Sequence, residues 1–292
     1  MLIKVTHDLL NRYGYDIIKI PAERRLSLYY ETYGHEAVEE RRFYNIGASA
    51  FRHPAWTNVD KLSDWYKQAQ GKSVAIDWDL LALTAIPVES DCAEVVYSSH
   101  TVEHVPNKAA ANMFREAFRI LKKGGILRIT MPNIDLHYRA YRANDRHYFY
   151  WIGRYSNLKY YRKINLNAPL NQASIQQIFL WTFAASASTL HNDGSPERIP
   201  DEQLDALFRE KPYEEALNYC TSKCSLEAQH KYPGNHINWW NGDKTVRMLR
   251  EAGFSDVRLS AYGQSFCPVL RDTLLFDSTH PRVSLYVEAV KG

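Results

Sequence analysis

Cysteine is scarce in this chain: four residues, Cys92, Cys220, Cys224 and Cys267, in 292. So few thiols over that length do not build a disulfide framework, and a reducing compartment is the simpler setting. Long apolar runs are missing as well. No stretch approaches the roughly 20 apolar residues that a membrane-spanning helix needs, so no span is expected. The opening segment, MLIKVTHDLLNRYGYDIIKI, interrupts its apolar positions with charges and lacks the continuous core of a signal peptide. Neither sign of charge dominates, since 36 Lys and Arg face 33 Asp and Glu for a net charge of +3. Without a broad basic field, a nucleic-acid partner is not expected. There is no internal repeat, low-complexity tract or Gly/Ser linker. What remains is a globular protein with the cytoplasm as its expected location.

What is present is an alternation. Phe43 to Gly47 (FYNIG) is a short apolar run closed by glycine, which reads as a buried strand feeding a tight turn. Trp56 to Asp60 (WTNVD), Ser73 to Asp77 (SVAID) and Ala93 to Ser98 (AEVVYS) follow, with a short helix expected over 61–70. Asn107 predicts an N-cap for a helix over 108–122, where Ala111, Phe114, Phe118 and Leu121 recur at helical spacing. Lys122 and Lys123 suit its negative end, and Gly124–Gly125 are expected to stop it. Ile126 to Met131 reads as a fifth strand. The pattern lapses, then resumes with a helix over 242–252 and strands at 255–261 and 283–290.

Strands alternating with helices predict an α/β fold, a Rossmann-like, doubly wound, mostly parallel sheet. Residues 41–136 and 237–292 would form it. Residues 1–40 would be an N-terminal helical or cap segment, and 137–236 a helical, aromatic-rich insertion after strand five. One connection is too short. Only Ala48 to Ala55 separate the first two strands, fewer than the ten or more residues of a parallel crossover. Its helix must be vestigial or replaced by the N-terminal segment.

In doubly wound sheets a ligand sits outside the carboxyl ends of the strands. Gly47 would let it approach the backbone, and Asp60, ending strand two, can take both hydroxyls of a ribose. Asp79 can accept from an adenine amino group while Leu80 packs on the ring. The ordered set, in YNIGASAFRHPAWTNVD (44–60), YSSHTVEHVP (97–106), FREAFRILKKGGILRITMPNID (114–135) and SLYVEAVKG (284–292), resembles class I methyltransferases. The likeness is greatest to those of surface-polysaccharide and lipopolysaccharide biosynthesis. It covers 43–135 well and 241–292 more loosely. It implies S-adenosyl-L-methionine as cofactor, held by Gly47, Ala48, Ser49, Asp60, Asp79, Leu80 and Ser98. It also implies methyl transfer to an oxygen of a sugar or sugar-linked glycan acceptor, nucleotide- or phosphate-linked ones included. RNA or a small phenol as acceptor, and a non-catalytic methyltransferase-like binding module, stay open as alternatives. Ser49 departs from the family, which has a second glycine there, and its Cβ can crowd the methionine end of the cofactor.

His100, Glu103 and His104 stand at i, i+3 and i+4, so a helix beginning there would gather them on one face. Imidazole is a natural general base for a hydroxyl nucleophile, and His100 or His104 is the expected base. His236, which with His230 lies where the insertion returns to the sheet domain, is expected to face the acceptor. The trio also resembles the Glu-x-x-Glu-His cluster of ubiquinone-pathway and small-RNA methyltransferases, which implies a divalent ion on the acceptor hydroxyls, with His100 in place of the first Glu favouring an ion softer than magnesium. The metal-free reading is preferred, because a complete site needs further ligands. Cys220 and Cys224, followed by His230 and His236, have zinc-finger types, but five residues join the pairs where a finger has about a dozen. Buried thiols are the preferred reading. Finally, YRAYRANDRHYFYWIGRYSNLKYY (138–161) interleaves rings with Arg and Lys. It suits either a lid that stacks on a sugar or a helical pair burying its rings, in a homodimer interface among other settings.

Overall fold

Seven short strands form one sheet in the computed structural model, which describes residues 2–13, 15, 26–64, 67–152, 166–191 and 197–292. The strands are β1 (Phe43–Ile46), β2 (Trp56–Asp60), β3 (Ile76–Asp77), β4 (Ala93–Ser99), β5 (Leu121–Pro132), β6 (Asp256–Ser260) and β7 (Ser284–Val290). Their order is β3-β2-β1-β4-β5-β7-β6. The first five pair in parallel, and β7 runs antiparallel to both β5 and β6. Central strands covered on both faces must be apolar along their length rather than alternating. β1 is buried throughout, and β4 nearly so; the edge strand β6, DVRLS, is not.

The helices preceding the insertion are α1 (Leu2–Arg12), α2 (Leu26–Glu39), α3 (Lys67–Gln70) and α4 (Asn107–Ile120). The expected 61–70 helix is therefore a single turn. No helix lies between β1 and β2, and the N-terminal segment takes over that cover. α2, kinked at Gly34, lays Tyr29 and Val38 on Phe43 and Trp56. The Trp56 indole Nε1 donates to the Tyr29 hydroxyl at 2.9 Å. Cys267, Val269, Leu270 and Phe276 complete the same face from the other end of the chain.

On the opposite face α4 buries Met113, Phe114, Ala117 and Ile120 against β4, β5 and β7. Two expectations about this helix are corrected. Pro106 holds the N-cap position without a side-chain bond, and Asn107 Oδ1 instead accepts from Asn238 Nδ2 at 3.0 Å. The helix also ends at Ile120 and runs straight into β5, so Gly124–Gly125 lie inside the strand. Lys122 accordingly pairs with Glu94 at 2.6 Å rather than with a helix end. Arg128 of β5, fully buried, bonds both oxygens of Asp277, at 3.0 and 2.5 Å, and reaches Glu288 at 3.1 Å.

The insertion carries α5 (Ile134–Arg142), α6 (Ile175–Trp181), α7 (Asp201–Glu210), α8 (Tyr213–Ser222) and α9 (Leu226–Lys231) around a core of its own. Tyr141 stacks on Phe179 with centroids 4.8 Å apart, and Tyr138 packs on Tyr213 at 4.6 Å. These rings are core, not lid; residues 153–161 of the same stretch lie outside the described residues. Cys220 is buried here, its thiol pushed up by that burial, and Cys224 packs against the same cluster. The chain then returns through Trp239 and Trp240 into α10 (Gly242–Glu251). Lys244 of α10 donates to Asn238 Oδ1 and Trp239 O at 2.8 and 2.7 Å, with its Nζ 4.1 and 4.4 Å from the two indole centroids. Burial pushes its ammonium down to about 7.

Candidate active site

A cavity of about 590 Å³ opens where β1, β2 and β4 end, within the usual range for small-ligand sites. Gly47, just past β1, has φ 73°, and a Cβ on it would fall 2.1 Å from Thr101 Oγ1. Only glycine fits. Ser49 also takes a left-handed backbone, φ 44°, and its N–H donates to Asp60 Oδ2 at 2.8 Å. Asp60 Oδ1 accepts the Lys61 N–H at 2.8 Å. The turn thus fixes the carboxylate, and the Gln70 side chain also bonds to it. Burial raises this carboxyl from its ordinary value.

Asp79 lies on the same wall beside Trp78 and Leu80. Its Oδ1 accepts the Leu81 N–H at 2.9 Å, and its Oδ2 pairs with Lys61 Nζ at 2.6 Å. Burial would raise the Asp79 carboxyl, but the Lys61 ammonium outweighs it and the net shift is downward. Two of the expected cofactor residues are elsewhere. Ala48 is buried and does not line the cavity. Ser98 is turned inward, its Oγ donating to Ile46 O at 2.9 Å as a strut between β4 and β1. Ser99 and Thr101 line the cavity in its place.

The far end holds the histidines. His100, Glu103 and His104 do converge, though not along one α-helical face. His100 has φ 52°, and Val102–His104 form a single 3-10 turn. Glu103, 1% exposed, places Oε1 3.0 Å from His100 Nδ1 and 4.0 Å from His104 Nε2. Burial would raise the Glu103 carboxyl, yet the facing His100, with His104 and His236, holds it down at about 2.

His236 joins this group from the insertion, its ring 4.8 Å from that of His104 and nearly perpendicular to it. The backbone explains the approach. Ile237 and Asn238 N–H both donate to Glu103 O, at 2.9 and 3.1 Å. Asn238 Nδ2 donates to Val105 O and Gln229 Nε2 to His104 O, each at 2.9 Å. A carbonyl can only accept, so His104 Nδ1–H donates to Asn235 O at 2.9 Å and His236 Nδ1–H to Thr182 O at 2.7 Å. With Nδ1 so committed, Nε2 is the remaining nitrogen of each ring. Burial, reinforced by His104, pushes His236 down to about 4. Gln229 and Pro233 lie at this end, His230 lines the cavity within electrostatic reach of Asp79, and His280, which the sequence reading missed, stands with its ring 5.6 Å from His100.

Residues 55–129 match the family described as a methyltransferase domain. That stretch, about a quarter of the chain, has the sequence character of a methyltransferase domain. The sheet around it is the mostly parallel α/β sheet expected from the sequence, with β7 reversed between β5 and β6. No curated relative matches the sequence. Among solved structures the methyltransferase is similar to a SAM-dependent methyltransferase from Thermotoga maritima, with 12% identity, 92% of this chain and 98% of that one covered, and a TM-score of 0.38. It is likewise similar to one from Archaeoglobus fulgidus, with 12% identity, 92% and 95% coverage and a TM-score of 0.38. Likeness at that level carries no argument about the acceptor. S-adenosylmethionine is the cofactor of such a methyltransferase, and the residues present fit it. A half-buried acid at the end of β2, a turn without a Cβ at Gly47 and an apolar wall of Trp78 and Leu80 share one cavity. Among the described residues no helix is long and apolar enough to cross a membrane.

Proposed function

We propose that this methyltransferase acts on a hydroxyl oxygen of a small acceptor, with a sugar or sugar-linked group as its substrate class. The observation that carries the reading is the single cavity that joins Gly47, Asp60 and Asp79 at one end to Glu103, His104 and His236 at the other. S-adenosylmethionine, when bound, supplies an electrophilic methyl group. The chain's own residues hold it and prepare the acceptor. Gly47, Ser49, Asp60, Asp79 and Leu80 would bind the cofactor. The histidine end would receive the acceptor hydroxyl, where neutral imidazoles with outward lone pairs ease the loss of its proton. Gln229, His230 and Pro233 would close over it as the insertion's contribution and keep water out. The sugar class is supported by the sequence resemblance alone.

The test is transfer of a labelled methyl group to a panel of sugars, nucleotide-linked sugars, phenols and RNA, beside a calorimetric titration of the cofactor. Label on the sugars is the expected result. Label on RNA or phenols alone would overturn the acceptor class. Cofactor binding with no labelled product of any kind would favour a binding module.

A further inference from the structure

We propose that Glu103, His104 and His236 form a binding site for one divalent transition-metal ion. The ligand atoms of these three side chains all lie within 4.8 Å of one another. Sequence alone offers only the cluster after β4 and lacks further ligands. The structure supplies one, His236, from the far side of the insertion.

Three features point to an ion. Glu103 is buried, and its Oε2 has no hydrogen-bond partner among the described residues. A buried carboxylate left in that state is costly, and a cation at its open oxygen answers the cost. The imidazoles of His104 and His236 are oriented by backbone carbonyls through Nδ1, at 2.9 and 2.7 Å, which leaves Nε2 as a ligand. Such outer contacts are what fix the tautomer and aim of metal-bound histidines. Finally, the cluster borders the cavity, so the remaining coordination positions would face whatever the cavity holds.

Two imidazoles and one carboxylate suit zinc, manganese, iron or cobalt better than magnesium or calcium. Bonds of about 2.1 Å in a tetrahedral set bring ligand atoms to about 3.4 Å apart, so the side chains must close by roughly 1 Å. His100, engaged by Glu103 Oε1 and Ser284 Oγ, is then a positioning residue. The inference rests on the proposed methyltransferase reading in one respect: the ion would coordinate the acceptor hydroxyl and make its proton easier to lose to solvent, in place of the His104 and His236 Nε2 lone pairs that the ion would occupy.

The experiment uses untagged full-length protein, stripped with a chelator and titrated with Zn²⁺, Co²⁺, Mn²⁺ and Mg²⁺ alone. Calorimetry gives affinity and stoichiometry, and the visible spectrum of the Co²⁺ form reports the ligand field. One equivalent of zinc or cobalt should bind, with magnesium about 100-fold weaker or more. Glu103→Gln and His236→Ala should each weaken zinc about 100-fold and alter the cobalt spectrum, while Cys224→Ser changes neither. Melting curves establish that each variant folds; His104→Asn replaces any that does not. Failure of the stripped wild type to bind zinc or cobalt overturns the site, as does an affinity unchanged in the folded variants. A parallel titration with S-adenosylmethionine separates the two readings. Metal binding without cofactor binding would sink the methyltransferase reading and keep the site. The converse would sink the site alone.

Discussion

The two ends of the cavity are built differently. The end proposed to hold the cofactor comes from residues 46–81, where successive strand ends deliver Gly47, Asp60 and Asp79 in sequence order. The end proposed to receive the acceptor is assembled across the chain: His104 meets Asn235, 131 positions away, and the meeting depends on backbone bonds from the insertion. A site made by local turns is fixed by backbone geometry, so a single misplaced Cβ disables it. A site made by docking two segments is fixed by the contact between them, and its side chains can change while the frame stays. Binding of the cofactor and handling of the acceptor should therefore be separable by mutation.

The largest effect should fall on neither end. Arg128→Met leaves Asp277 and Glu288 buried without their cation, and should cost about 3–5 kcal/mol in chemical denaturation. A smaller loss would mean that the sheet tolerates the change by opening. Gly47→Ala comes next, because its Cβ would strike Thr101 at a left-handed φ. Cofactor affinity should drop by about 100-fold or more, roughly 3 kcal/mol, in calorimetry.

The sharpest comparison pairs Asp60→Ala with His236→Ala. The first should weaken the cofactor about tenfold or more, as expected for a lost charged acceptor. The second should leave cofactor Kd within about threefold and cut kcat/KM about tenfold or more. If His236→Ala weakens the cofactor and spares turnover, the division between the ends collapses.

A subtler effect concerns Lys244, which anchors the return from the insertion. Its ammonium is lowered by burial to about 7 from 10.5, with Glu214 raising it and Arg247 lowering it. Between those values the unfolded chain binds more protons than the folded one, so stability contributed by this group rises with pH across about 7 to 10.5. Lys244→Met should flatten that rise in urea midpoints measured at pH 7 and 9. The smallest change is Ser49→Gly. Relief of the left-handed Ser backbone is offset by the freer unfolded chain, so stability should move by under about 1 kcal/mol. Cofactor affinity should hold or tighten.

Local pattern made the sheet legible. FYNI and WTNVD are short apolar runs whose ends a glycine and an acid mark, and AEVVYSS is a third such run, ending in polar serines. Asp60 and Gly47 were legible for the same reason. Ser98 was not, since neighbouring strand residues point to opposite faces and nothing in the run says which of Ser98 and Ser99 faces the cavity. The Gly124–Gly125 pair misled because a helix that passes directly into a strand needs no glycine stop. His236 was placed from its position at the edge of the insertion. Its meeting with Glu103 and the arrival of His280 depend on tertiary docking, which leaves no periodicity in the sequence.

The direct step from β1 to β2 has a consequence for the order of folding. With no helix in that connection, the face over Phe43 and Trp56 is covered by Tyr29 from upstream and by Cys267, Val269, Leu270 and Phe276 from near the end of the chain. A ribosome that has delivered the first five strands has made a sheet with that apolar face only partly covered, by Tyr29 and Val38. Contacts of such sequence separation are closed late and slowly. The turn at Gly47, between β1 and β2, gains the last of its supporting cover only once residues 267–276 have been made.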